Sequence, residues 1–203
     1  MAQYGINLTW DRDEPADRNR LLALGREIGG THFIMLDADE ILTANLLKRD
    51  VLKKKILNLA PGEHIVLRWI HLWRSPNQYR TDGVKGDGRF KAFIFCDEGK
   101  ATYPDKSIIH TPRVPLREGK QRKLKGNFGV LHFSHVNWGN LETKMKWYQR
   151  MERIYFPDKP IKEIVKRYGH NEDETGLVVK PCPKEWYECG YPPLDPAMFA
   201  DPE

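Results

Sequence analysis

Cysteine is scarce in this 203-residue chain: Cys96, Cys182 and Cys189 are the only three. They are too few and too scattered for a disulfide framework or a zinc ribbon, so reduced thiols are expected. Long apolar runs are also missing, and nothing approaches the ~20 residues needed to span a bilayer. Met1 to Thr9 lacks the basic start and apolar stretch of a secretory leader. The expectation is therefore a cytoplasmic protein with no membrane span. Internal repeats and nucleic-acid motifs are absent too, which argues against a nucleic-acid partner. What is present is ordinary for a globular chain, with 40% apolar and 30% charged residues, a balance that excludes wholesale disorder. The net charge of +5 suits a phosphate-rich small ligand at least as well as a polymer.

The basic residues are spread out, apart from one concentration. Arg113, Arg117, Lys120, Arg122, Lys123 and Lys125 face a single acid, Glu118. That run reads as a solvated surface loop or as a lid that orders over a phosphate ligand. Along the chain, Asp13 caps a first helix, Glu14 and Pro15 occupy its first turn, and Leu21, Leu24 and Ile28 fall on one face. After Gly29-Gly30, residues 31–36 form a strand that is apolar on both alternating faces from Phe33 onward. Such a pattern predicts a central parallel strand covered on both sides. The strand ends in Asp37-Ala38-Asp39-Glu40, and a helix from Thr43 to Leu59 is expected next. The second half reads as short strands at Ile65–Ile70, Arg89–Cys96, Ser107–Thr111 and Gly129–His135. Helices follow at Leu141–Tyr155 and Ile161–Tyr168, then a Pro-rich stretch. The prediction is an α/β fold over residues 1–170 with an irregular tail over 171–203.

In open α/β sheets ligands bind beyond the carboxyl ends of the strands, which is where the acidic turn sits. Asp37 and Asp39, one residue apart, can address a common Mg²⁺ or Mn²⁺ ion directly or through water. That ion would bridge two phosphates and offset charge on a leaving diphosphate. The competing assignment is that Asp37 caps the following helix while Asp39 and Glu40 enrich its first turn. A helix cap does not call for a wholly apolar strand before it, and this favours the metal.

The run Asp17-Arg18-Asn19-Arg20-Leu21-Leu22, followed by Gly29-Gly30-Thr31-His32-Phe33-Ile34-Met35-Leu36-Asp37-Ala38-Asp39-Glu40, resembles the middle of family-2-type glycosyltransferases of GT-A fold. Three later segments keep the order of that family: Gly86 to Phe93, Ser107 to His110, and Val130-Leu131-His132-Phe133-Ser134-His135 before a helix bearing Trp147 and Tyr148. The resemblance spans about Asp17 to Tyr155. It implies a GT-A-like (Rossmann-like) open mixed sheet with flanking helices, and a nucleotide-diphosphate sugar as donor to a saccharide or other hydroxyl acceptor. Relatives carry base-binding strands ahead of the Arg-Asn helix, so the resemblance also implies an N-terminally truncated sheet: a fragment of a longer protein, a chain completed by a partner or by self-association, or a degenerate relative that no longer transfers sugar.

The resemblance assigns Asp37, Asp39 and His132 to the metal, with His135 a lesser choice than His132, and it places Arg18 and Arg89 at the donor. The histidine strand continues His110-Thr111-Pro112 where many relatives have a glutamate after the histidine. The general base is therefore sought at Asp87 first and Asp82 second. Trp73, beside Arg74, is the expected acceptor platform. Two rival readings stand beside the transferase: a metal-dependent nucleotidyltransferase and a non-enzymatic nucleotide- or sugar-binding module. A Gly-rich loop with a nearby lysine ahead of the acidic strand would favour the nucleotidyltransferase, and none is visible.

Overall fold

Asp13 opens the first helix as expected. In the computed structural model, which describes residues 13–47, 50–83, 89–104, 110–115, 119–169 and 173–188, its side chain accepts from the Ala16 N–H at 3.1 Å. Helix α1 (Glu14–Glu27) ends where Gly29 adopts φ of +80°, the left-handed turn that glycine takes at no steric cost. The face it buries is not the expected one. Leu21, Leu24 and Ile28 are exposed, Ile28 at 88%, and the buried residues are Pro15, Arg18 and Leu22. The inward face is set by side chains with fixed partners. Arg26 grips both carboxylate oxygens of Asp97 at 2.6 and 2.7 Å. Asn19 brackets the backbone of Tyr103, donating to its carbonyl and accepting from its N–H.

Strand β1 (His32–Ile34) corrects a second expectation. It is not central and parallel: among the described residues it lies at the sheet edge and pairs antiparallel with the strand Phe90–Cys96. Its apolar residues serve two neighbours rather than two covering layers. Phe33 stacks on Phe95 and lies against Gly25 of α1, where a Cβ would come within 2.3 Å of the ring. Ile34 is 44% exposed.

The acidic turn leads into another strand rather than a helix. Strand β2 (Glu40–Leu42) pairs antiparallel with Val130–His132, and the expected Thr43–Leu59 helix is two short ones, α2 (Ala44–Leu47) and α3 (Val51–Leu57). Asp50, at φ of +52°, stands before α3. Thr43 fixes the turn between β2 and α2 by donating its N–H to Gly129 and accepting from the Gly129 N–H through Oγ1.

Strand β3 (His64–His71) is the axis of the fold. Strands β4 (Gln78–Arg80), β5 (Phe90–Cys96), β6 (Gln121–Lys123) and β7 (Val130–His132) follow it in the chain. β3 pairs antiparallel with β5, parallel with β6 along His64–Val66, and parallel with β7 along Trp69–His71. The result is a mixed six-stranded sheet of order β1-β5-β3-β7-β2, with β6 branching from β3. Two helices follow. Asn137 caps α4 (Trp138–Tyr155) by accepting from the Asn140 N–H at 2.8 Å, and α5 (Ile161–Gly169) packs on it through Leu141, Met145, Ile164 and Tyr168. The fold is mixed α/β with flanking helices.

The expected strand at Ser107–Thr111 lies mostly outside the described residues, and His110 and Thr111 are not in a strand. The tail is less irregular than predicted. Strand β8 (Val179–Pro181) pairs with β4, and a short 3₁₀ turn (Lys184–Trp186) places a fully buried Trp186 among Ile70, Leu72, Tyr79 and Leu131. Large aromatic burial of this kind outweighs the poor local propensity of a Pro-rich stretch. Cys96 and Cys182 are free thiols, and no helix among the described residues is long and apolar enough to cross a membrane.

Candidate functional site

β1 ends at Ile34, β2 begins at Glu40, and the turn between them collects the predicted acids. Glu40 donates its backbone N–H to the Asp37 carbonyl at 3.0 Å, while the Asp37 N–H donates to the Glu40 carboxylate at 2.9 Å. Asp37 therefore caps no helix, since the next one starts only at Ala44. That removes the competing assignment for the acidic turn.

Each acid has a distinct set of partners. Asp37 lies between two guanidiniums, with Arg18 and Arg113 each 2.8 Å from one carboxylate oxygen. Arg18 is also held by Glu14, one helical turn back, so its position is set from both ends. Glu40 has a fully buried side chain, accepts from the Trp69 indole N–H at 2.7 Å, and pairs with Arg113. A buried carboxylate is tolerable only with such a complete set of donors. Asp39 reaches across to the other half of the chain. Its carboxylate is 3.3 Å from Nε2 of His132 and 3.3 Å from the Lys144 ammonium of α4. Burial alone would raise the Asp39 carboxyl, but His132 and Lys144 outweigh it and hold the group well below the usual carboxylate range.

The structure thus brings together Arg18, Asp37, Asp39 and His132. Arg89 lies just before β5, and its backbone carbonyl accepts from the Trp69 N–H at 2.9 Å. With Arg113 it contributes to depressing the Lys91 ammonium, after the desolvation of that group. Lys91 and Arg113 both lie over the Trp69 ring, at 5.4 and 4.8 Å. A set of cations therefore borders the acids. Asp82 is elsewhere engaged: Nε of the buried Arg80 lies 2.7 and 2.8 Å from its two oxygens. Asp87 lies outside the described residues.

Trp73 is not an acceptor platform. It is 1% exposed, stacks on His135 at 5.0 Å and donates its indole N–H to Glu174. The basic run also divides. Arg122 and Lys120 pair with Glu63, Lys123 lies over Phe90, and Arg122 and Lys123 belong to β6. Among the described residues of the run, Arg113 is the one that enters the acidic turn, held where the Tyr103 hydroxyl donates to its carbonyl at 2.6 Å. Burial drives that hydroxyl up to about 12 and keeps it a proton donor at neutral pH.

Three participants were not singled out from the sequence: Glu40 as a buried anchor, Lys144, and His71. His71 ends β3 opposite His132 in register, with the two Nδ1 atoms 3.1 Å apart. The alternation Trp69, His71, Trp73 along a strand carried the signal for it, because those three side chains share one face.

No protein-family model, curated protein or solved structure matches the chain.

Proposed function

We propose that the chain binds a nucleotide-diphosphate sugar at the Asp37–Glu40 turn and transfers its sugar to a hydroxyl acceptor with a divalent cation, as the family-2 resemblance implies. The observation that carries this reading is the meeting of Asp39 with His132. These residues come from opposite halves of the chain, and the resemblance names both as ligands of one metal. The donor set is a carboxylate with an imidazole nitrogen, which suits Mn²⁺ better than the oxygen-seeking Mg²⁺. Asp37, between two guanidiniums, acts from outside that pair and orients Arg18 and Arg113 toward phosphate oxygens, where guanidiniums bind in bidentate fashion. When bound, the cation offsets charge on the leaving diphosphate. Lys144 and the Arg89–Lys91 pair supply further positive charge around it.

Asp82 is a poor base for the acceptor hydroxyl, because the buried Arg80 guanidinium engages both of its oxygens. The reading therefore places the base at Asp87. Asp87→Asn is expected to lower turnover by about 10²- to 10⁴-fold while leaving donor binding unchanged. Steady-state kinetics beside calorimetry separate the two, and a loss of donor affinity equal to the loss of turnover would remove Asp87 from that role.

Calorimetric titration of the chain with uridine and guanosine diphosphates, with and without Mn²⁺, tests the whole reading. Mn²⁺-dependent binding of at least one nucleotide is the expected result. Binding indifferent to metal favours a non-catalytic binding module, and no binding defeats the transferase reading.

A further inference from the structure

The geometry points to a second divalent-cation site, formed by His71, His132 and His135 and suited to a borderline-soft ion of the Zn²⁺ class. All three side chains are buried, at 4, 8 and 3% exposure, and each offers a ligand atom within 4.8 Å of the others. They stand on fixed elements. His71 and His132 are the paired last residues of two parallel strands, and neighbours in such a ladder project to the same face. His135 is set by the turn in which the Val136 N–H donates to the Phe133 carbonyl, just before α4.

Distance and chemistry agree. Zn–N bonds of 2.0–2.1 Å at tetrahedral angles place ligand nitrogens about 3.3 Å apart, and the His71 and His132 Nδ1 atoms are 3.1 Å apart. The His135 ligand atom lies within 4.8 Å of the other two, so a bound ion would draw it inward. Three imidazoles and no carboxylate in the inner set select zinc-class ions over magnesium or calcium. The outer shell is of the kind that orients ligating histidines. The Asp39 carboxylate lies 3.3 Å from Nε2 of His132, and an N–H there directs the Nδ1 lone pair toward the cluster. Ser134 Oγ is 3.1 Å from Nδ1 of His135, and an N–H there puts the lone pair on Nε2. Trp69 stacks on His132 and Trp73 on His135, walling the cluster from water.

This site does not rest on the transferase reading, although the two share one ring. With an ion on Nδ1 of His132, Nε2 keeps its proton for Asp39, so a neutral ring serves one ion at a time.

Co²⁺ substitutes for Zn²⁺ with visible d–d absorption. Titration of the full chain is expected to give intense bands saturating at one equivalent and erased by Zn²⁺. His71→Phe and His135→Phe remove the bands, whereas Asp37→Asn, whose partners Arg18, Arg113 and Glu40 lie outside the histidine cluster, retains them. Asp39→Asn weakens binding about 10- to 100-fold. Because a buried-histidine variant can fail to fold, X-ray absorption of the Zn²⁺-loaded wild type provides the independent measurement, with three imidazoles at about 2.0–2.1 Å expected. Absent bands, bands surviving both phenylalanine variants, or a zinc shell holding a single imidazole would each overturn the site. Mn²⁺-dependent nucleotide binding is read separately by calorimetry, so either proposal can fail while the other stands.

Discussion

Replacing Arg113 by alanine lowers the stability of the fold by about 3–5 kcal/mol, the usual consequence of leaving one partner of a buried ion pair behind. Arg113 reaches Glu40, whose side chain is fully buried, and Asp37. Without it, the donors left to Glu40 among the described residues are neutral, the Trp69 indole N–H and the Asp37 N–H. A charged acceptor in that setting loses far more than a surface pair would. For a chain of this size the loss corresponds to a melting temperature lower by about 6–20 °C, read by circular dichroism at neutral pH. The double variant Glu40→Leu/Arg113→Met is expected to recover most of the loss, because replacing both partners removes the uncompensated charge. A loss below about 1 kcal/mol in the single variant would show that Arg113 is a surface cation and would place Glu40 in contact with water.

Asp39→Asn is expected to eliminate Mn²⁺-dependent nucleotide binding. Substitutions one shell out from a metal typically cost 10- to 100-fold, so loss of a carboxylate ligand is expected to cost more than about 100-fold. The same substitution tests the electrostatics without any ligand. The Asp39 carboxyl is held below its ordinary range by His132 and Lys144 against the opposing effect of burial. Its stabilisation is therefore fully present above the unfolded value, ~3.9, and is lost as pH falls toward the folded one. Wild type and Asp39→Asn should differ by about 1–3 kcal/mol at pH 7, and the gap should close as the pH is lowered below ~4. A difference that is constant with pH would mean that Asp39 contributes through packing rather than charge. Retained Mn²⁺-dependent binding would move the metal away from the turn.

Local signals in the sequence anticipated much of the framework. The Asp13 cap, the β3 and β5 strands and the two C-terminal helices are where propensity and periodicity place them, because each is decided by residues close together in the chain. The errors have a common physical origin in long-range pairing. Phe33-Ile34-Met35-Leu36 is apolar on both faces although β1 is an edge strand: Phe33 packs against α1 and Phe95, while Ile34 on the other face is 44% exposed. Glu40-Ile41-Leu42 has helix-compatible residues but extends because it meets His132-Leu131-Val130. α1 turned Leu21 and Leu24 outward and kept Leu22 inside because Arg18, Asn19 and Arg26 find their partners inward. The Pro-rich tail was read from composition, and composition cannot show that a tryptophan has a pocket formed by β3 and β7.

The site was legible in part. Asp37, Asp39, His132 and Arg18 meet as the motif order suggested. Glu40 was grouped with helix-start acids because its burial depends on Trp69 and Arg113, neither of which is near it in sequence. His71 needed the strand register to align it with His132.

Under the proposed function, the pairing of every acid in the turn with a cationic group has a thermodynamic consequence for assembly. A metal ion approaching alone must displace Lys144 from Asp39 and compete with the guanidiniums over Asp37, while a diphosphate approaching alone must draw the same cations away from their carboxylates. Arriving together, each ligand releases the groups the other needs. Their affinities are then linked, and the factor by which Mn²⁺ tightens nucleotide binding must equal the factor by which nucleotide tightens Mn²⁺ binding. For a typical coupling this factor is about 5- to 150-fold. On the proposed function, the resting ion-pair network would make the turn weakly receptive to either ligand by itself and selective for the two in combination.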